Sequence, residues 1–304
     1  MQLRVMELTG ALVPQGALVK GVKTGWRLAW RTLMSELAPQ SKDGEYVRPS
    51  YAFKGEIGTA DFPEERGRFH LYAGKACPWC HRVELVRSVR GLQGFMSMTT
   101  VLDRPEEASR GGWVFTRAQP DPVFQARDLR EVYDAVTGGF TGRCTAPLLV
   151  DKVTKKAVSN ESSDLMRMLN KPAGAGDIDI DLCPAHLAAQ IDEINAWIYT
   201  DVNNGVYKCG FSTTQEAYDR SSLALCQGLD RIEAILADNR FLLGDRLTEA
   251  DLRLFPTIYR CVHTCMHACM HTNKQTNKQT NKQTNKQHVC SRRYTGAMML
   301  QILH

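Results

Sequence analysis

The chain sets Cys77-Pro78-Trp79-Cys80 between a strand pattern and a helix pattern. Residues 68–73 alternate well enough for a short strand, and Gly74 follows as a loop residue. Pro78 stands where a helix accepts proline, in its first turn. Beyond it Val83, Leu85, Val86, Val89 and Leu92 recur at helical spacing. This order puts Cys77 at a helix N-terminus, facing unsatisfied N–H groups and the positive end of the helix dipole. Both favour thiolate over thiol, and the thiolate is the nucleophile. Cys77 is expected to be the exposed thiol and Cys80, a turn later, the better buried one. Cys80 could then resolve a mixed disulfide on Cys77 by forming an internal disulfide. His81 and Arg82 are expected to add positive charge nearby.

Two other readings of the pair compete. Half of a zinc site needs a second matching pair, and the other cysteine cluster, Cys261, Cys265 and Cys269, has the wrong spacing. A buried structural pair is the third reading. Metal is not expected. The six cysteines up to Cys226 show no disulfide-framework spacing, and no secretory signal is visible, so a reducing compartment is expected. That reads as cytoplasmic. The alternative is a plastid or mitochondrion, if the basic N-terminus (Arg4, Lys20, Lys23, Arg27, Arg31) is a transit peptide, although it is poor in serine.

The 304 residues suggest one or two domains, with 43% hydrophobic and 23% charged content as in ordinary soluble chains. The net charge of +5 comes without a basic stripe interleaved with aromatics, so nucleic acid is not an expected partner. No apolar run approaches the roughly 20 residues of a membrane span, so a membrane is not expected either.

Residues 1–65 read as a mostly irregular N-terminal extension, punctuated by Pro39, Gly44, Pro49, Gly55 and Gly58. Residues 66–170 read as an α/β unit with a mixed sheet. Its strands are expected at 68–73, 96–101, 145–151 and 156–159, and its helices at 81–92, 128–136 and 163–169. Residues 171–184 form a Gly-, Pro- and Asp-rich linker. Long helical patterns cover 184–203 and 214–239. Thr248-Glu249-Ala250-Asp251 is a helix-start signature ahead of Leu252, Leu254, Phe255 and Ile258.

Five blocks together resemble the glutathionyl-hydroquinone reductases, the Xi class of the glutathione transferase superfamily. They are Gly67–Ala73, the Cys77–Arg82 block, Gly112-Trp113-Val114-Phe115, Val158-Ser159-Asn160-Glu161-Ser162, and Val202-Asn203-Asn204-Gly205-Val206-Tyr207-Lys208-Cys209-Gly210-Phe211. Cys-Pro-x-Cys alone fits glutaredoxins as well, whereas the Asn-Asn-Gly-Val-Tyr-Lys block is far more specific. The resemblance spans about residues 45–260 in the expected order.

It implies a thioredoxin-like N-terminal domain followed by an all-helical C-terminal domain, with glutathione as co-substrate, glutathionylated quinones as partners, and a homodimer. It implies Cys77 as nucleophile and Tyr207 as proton donor. The glutathione contacts it implies are Trp113, the Thr145-Ala146 segment before a cis-proline at Pro147, and the pair Glu161 and Ser162. Arg143 is placed to bind a glutathione carboxylate. Each has a plainer alternative: Tyr207 as a core aromatic, Trp113 as a loop anchor, Glu161 and Ser162 as a helix cap, Arg143 as a solvated charge.

Two departures follow. Cys80 stands where the family carries alanine, which opens a dithiol, glutaredoxin-like or dehydroascorbate-reducing route. The family pattern also ends near Arg260. From Thr272 to Gln287 the chain repeats Thr-Asn-Lys-Gln, and before it stands Met266-His267-Ala268-Cys269-Met270-His271. Both read as translated simple-sequence DNA, the first from the repeat ACAA and the second from ATGC, as a retained intron or an erroneous gene model produces. The helical domain is thus expected over 185–260, truncated and replaced by a disordered low-complexity tail over 261–304. Such a chain is expected to be weakly stable and weakly active, and its dimerisation is in doubt because the family's dimer region is altered. A non-catalytic binding protein of the same fold is the remaining alternative.

Overall fold

A computed structural model of the chain describes residues 20–26, 28–29, 38–48, 50–171 and 180–272, with side chains omitted at 105, 108 and 262–272. The chain forms two compact units. One combines the described residues before 50 with Asn204–Leu225, and the other contains Ser50–Asn203 and the chain from Cys226 on.

The larger unit holds a five-stranded sheet in the order β3-β2-β1-β4-β5. Its strands are β1 (Phe69–Gly74), β2 (Met96–Asp103), β3 (Trp113–Val114), β4 (Leu148–Asp151) and β5 (Lys156–Ser159). β1 pairs parallel with β2 and antiparallel with β4, and the β2–β3 and β4–β5 pairs are antiparallel. This is the expected mixed sheet, with β3 added at the edge. β1 is buried along its whole length, as a central strand covered on both faces must be.

Helix α1 (Pro78–Val89) follows β1 and packs on α3 (Ser162–Asn170) and α7 (Glu249–Thr272), and Cys80, Val83 and Val86 are among its buried side chains. Helix α2 (Leu129–Thr137) starts at Asp128, whose side chain accepts the Glu131 N–H, and stops at Gly138 with φ +75°. That left-handed conformation favours glycine and ends the helix.

The pattern over 184–203 does not form one continuous helix. Helix α4 (Ala188–Trp197) passes into a π-helical turn over Ile198–Asn203. There the Asn203 side-chain amide donates to the Arg253 carbonyl at 3.3 Å and to Thr257 Oγ1 at 2.9 Å. Buried amides must find partners, and these two hold the wider turn. The Thr248 signature forms as expected: the Thr248 N–H and hydroxyl both donate to Asp251 Oδ2, at 2.9 and 3.0 Å. Helix α6 (Gln215–Asp238) covers the last of the expected helical stretches.

Helix α7 does not end at the expected break near Arg260. It runs on to Thr272, through the first part of the segment expected as a tail, because Cys, Met, His and Ala do not interrupt a helix. The remaining repeats lie outside the described residues, as do 172–179 of the expected linker.

The described residues before 50 are irregular apart from one helical stretch. Residues 20–26 and 28–29 are helical. The Gln40 side-chain amide donates to the Phe211 carbonyl at 2.6 Å, and Lys208 pairs with Glu45 at 2.7 Å. Helix α5 (Gly205–Phe211) carries Tyr207, whose ring stacks on those of Tyr46 and Phe211.

Candidate active site

Cys77 is the N-cap residue of α1, and its sulfur accepts the Cys80 backbone N–H at 3.4 Å. As a thiol it donates to the Ala146 carbonyl, also at 3.4 Å. The Cys77 pKa is lowered, chiefly by a hydrogen bond from the Cys80 thiol. The Cys80 and Trp79 N–H groups and the charge of Arg260 act in the same direction, against burial. For Cys80 the balance reverses: burial, together with the hydrogen bond to Cys77 and that sulfur's charge, pushes its thiol well up. One sulfur is thus favoured as thiolate while the other keeps its proton. This is the arrangement a nucleophile and its donor need.

Two expectations about this thiol are corrected. Cys77 is not openly exposed; it retains 7% of its surface, because its sulfur turns inward to the helix N–H and the Ala146 carbonyl. Cys80 is fully buried, as expected. The positive charge also comes from elsewhere. His81 has a lowered pKa through burial and the nearby Arg260, and packs edge-on against Phe255 and Tyr259. Arg82 is buried, donates to the Arg253 carbonyl at 3.0 Å and lies over the Trp79 ring. Arg260 of α7, which donates to the Lys75 carbonyl at 3.1 Å, supplies the charge that reaches Cys77.

The loop before Cys77 is shaped by Trp113. A Cβ on Gly74 would meet the Trp113 ring at 2.5 Å, so only glycine lets the indole lie against the end of β1. Trp113 is half-buried there. The Ala146–Pro147 peptide is cis, as the resemblance implies. Thr145 is exposed and Ala146 buried, while Arg143 is exposed in the preceding loop. Tyr133 holds this segment. Its hydroxyl donates to the Thr145 carbonyl at 2.7 Å and accepts from the Thr145 N–H at 3.2 Å and from Asn160 Nδ2 at 3.1 Å.

Asn160 leads directly into Glu161 and Ser162 at the start of α3. Glu161 is the N-cap: its carboxylate accepts from the Ser163 N–H and hydroxyl at 3.2 Å and from the Ser162 hydroxyl at 3.3 Å. Both residues are buried. The capping interpretation of this pair therefore describes the ligand-free chain, and a ligand ammonium at Glu161 would have to compete with these donors.

Within the larger unit the structure thus gathers Cys77, Cys80, Ala146 and Arg260 around one sulfur, and ties Thr145 to Asn160 and the start of α3. Tyr207 belongs to the other unit. Tyr133 and Arg260 were not identified from sequence. Tyr133 reads there as an ordinary apolar helix position, and Arg260 only as the last residue of a pattern. Among the described residues there is no group of three His, Cys, Asp or Glu side chains placed to hold a metal ion, and no helix is long and apolar enough to cross a membrane.

Known proteins match over both halves of the chain. The model of the glutathione S-transferase N-terminal domain matches residues 76–171, and that of the C-terminal domain matches 215–272. The glutathionyl-hydroquinone reductase PcpF of Sphingobium chlorophenolicum is 43% identical over 249 residues, 81% of this chain and 75% of that protein. Glutathionyl-hydroquinone reductase YqjG of Escherichia coli is 39% identical over 259 residues, again 81% and 75%. Among solved structures, glutathione-S-transferase Xi of Phanerochaete chrysosporium superposes with a TM-score of 0.67 at 41% identity, covering 73% of each chain. Glutathione-bound YqjG gives 0.65 at 39% identity, over 69% of this chain and 72% of that one.

Proposed function

This chain belongs to the glutathionyl-hydroquinone reductase family, the Xi class of the glutathione transferases, and is a glutathione-dependent oxidoreductase; on that premise we propose that it reduces glutathionylated hydroquinones to free hydroquinones. In this reading the Cys77 thiolate attacks the sulfur joined to the aromatic ring. The carbon–sulfur bond breaks, its electron pair passes to the ring carbon, and a proton delivered there completes the hydroquinone. Cys77 is left as a mixed disulfide with glutathione. A second glutathione thiolate attacks the bound glutathione sulfur, glutathione disulfide leaves, and the Cys77 thiolate returns.

Tyr207 is the proposed proton donor, a role its phenol can fill and its motif position supports. Trp113, Arg143, Thr145, Ala146, Glu161 and Ser162 are the proposed glutathione contacts. Arg143 would meet a carboxylate, the Ala146 backbone would pair with the peptide like an added strand, and Glu161 would exchange cap donors for the ligand ammonium. A homodimer belongs to the same reading.

The observation that carries the proposal is the Cys77 sulfur at the start of α1, stabilised as a thiolate by the Cys80 donors and by Arg260. The test is hydroquinone release from a glutathionylated hydroquinone. Cys77→Ala is expected to abolish it, and Tyr207→Phe to slow it by about 10²–10⁴-fold, the usual contribution of a positioned acid. Full turnover by Cys77→Ala would sink the reading. Reduction of disulfides or dehydroascorbate without hydroquinone release would reassign the substrate class.

A further inference from the structure

Cys80 is more than a neighbour of the nucleophile. Its side chain is fully buried, so no exogenous thiol or disulfide reaches it, while the Cys77 sulfur one helical turn away accepts its hydrogen bonds. On its other side the Cys80 sulfur accepts the Gly74 N–H at 3.1 Å, from the end of the fully buried strand β1. A backbone donor aimed at a buried sulfur is a site for negative charge on that sulfur.

We propose that Cys80 is a resolving thiol: once Cys77 carries glutathione, Cys80 displaces it and closes an internal Cys77–Cys80 disulfide. The proposal rests on the reading of Cys77 as the thiol that takes up glutathione, and adds a second thiol to that cycle. In the step, the Cys80 sulfur attacks the Cys77 sulfur and the Cys77–glutathione S–S bond breaks. The electron pair leaves on the glutathione sulfur, which takes up the proton that Cys80 loses. One disulfide replaces another, so no external oxidant is needed. A glutathione that attacks Cys77 reopens the ring to the mixed disulfide, and a second leaves with the first as glutathione disulfide. The overall stoichiometry of the reductase is unchanged.

The geometry also times the step. While Cys77 is a thiolate, it holds the Cys80 proton by hydrogen bond and opposes a second negative charge beside it. Capping Cys77 with glutathione removes these two effects; burial, the largest cause of the raised Cys80 pKa, persists, and the Gly74 N–H stays in place to oppose it. Cys80 therefore loses its proton more readily after glutathione has been transferred than in the free enzyme. Its attack is intramolecular, at the high effective concentration that tethering gives.

The experiment loads the full chain with glutathione disulfide, which reaches the mixed disulfide without a quinone, then quenches it in acid and follows it by intact-mass and peptide analysis. Wild type is expected to lose two hydrogens and yield a peptide linked between Cys77 and Cys80. Cys80→Ala and the near-isosteric Cys80→Ser are both expected to hold the glutathione adduct on Cys77 about 10²-fold longer or more, the lower end of what tethering gains. A wild-type adduct as long-lived as that of the two variants overturns the proposal. No adduct on Cys77 in either variant overturns the reading of Cys77 itself, and this proposal with it, so the two failures are distinguished.

Discussion

The Tyr133 hydroxyl closes both backbone groups of Thr145, donating to its carbonyl at 2.7 Å and accepting its N–H at 3.2 Å. Burial pushes the phenol up to about 12, so it stays a donor throughout the working pH range. Asn160 bonds the same hydroxyl, which links the loop leading to the cis-proline with the residue preceding Glu161.

Tyr133→Phe removes these bonds and leaves Thr145 and Asn160 tied only by the Asn160 Nδ2 to Thr145 Oγ1 bond at 3.3 Å. The expected cost in stability is about 1–3 kcal/mol, toward the lower end because exposed Thr145 can turn to water. KM for glutathione should rise more than kcat falls, since the change loosens a binding wall and leaves Cys77 in place. Denaturant unfolding and steady-state kinetics check the two effects. An unchanged KM would show that the tie does not position the wall.

Gly74→Ala should force the Trp113 ring away from the end of β1, because the added Cβ would stand 2.5 Å from it. Overpacking of this kind costs about 1–3 kcal/mol. The penalty should largely vanish in a Trp113→Ala background, because the clash is with that ring. A double-mutant cycle on thermal unfolding measures the coupling, and additive losses would contradict the contact.

The pH dependence of Cys77 reactivity follows from its lowered pKa. Alkylation of the free enzyme should already be fast below the ordinary thiol range and level off as the thiolate saturates. Arg260→Gln removes one of the groups favouring the thiolate, so the whole profile should move to higher pH while its plateau changes little. Replacing Arg82, which faces the Arg253 carbonyl and the Trp79 ring, should not reproduce that shift. Iodoacetamide rates across pH, with the ultraviolet absorbance of the thiolate, decide between the two arginines.

His70 is fully buried on β1, bonds Ser97 Oγ at 2.8 Å, and has its pKa lowered to about 4, first of all by burial. Its unfolded value is about 6.5, so the unfolded chain binds more protons between the two values. Stability should therefore be full above about pH 6.5, fall as the pH drops toward about 4, and level off below that as far as this group is concerned. The loss over the window is about 3 kcal/mol, at roughly 1.4 kcal/mol per pH unit. His70→Phe should flatten this slope in denaturant titrations at a series of pH values, and an unaltered slope would rule out His70 as its source.

Local order was legible in the chain because it depends on near neighbours. A strand, a glycine, a cysteine and a proline in the first turn of a helix place the sulfur at a helix N-cap wherever that helix packs. The capping pair Thr248 and Asp251 forms for the same reason. The family blocks added the cis-proline and the order of the domains. Contacts distant in sequence had no such signal. The arginine that reaches Cys77 is Arg260, because α7 packs on α1, whereas the adjacent Arg82 is drawn into the interface between those helices.

Neighbouring residues alone make Cys77 an activated thiol at the start of a helix, with a second thiol one turn behind it. The packing of distant segments sets how deeply both sulfurs are buried, which of them is favoured to keep its proton, and which charge stands by. Burial and long-range charge depend on what packs around a residue, and a local pattern carries no record of that.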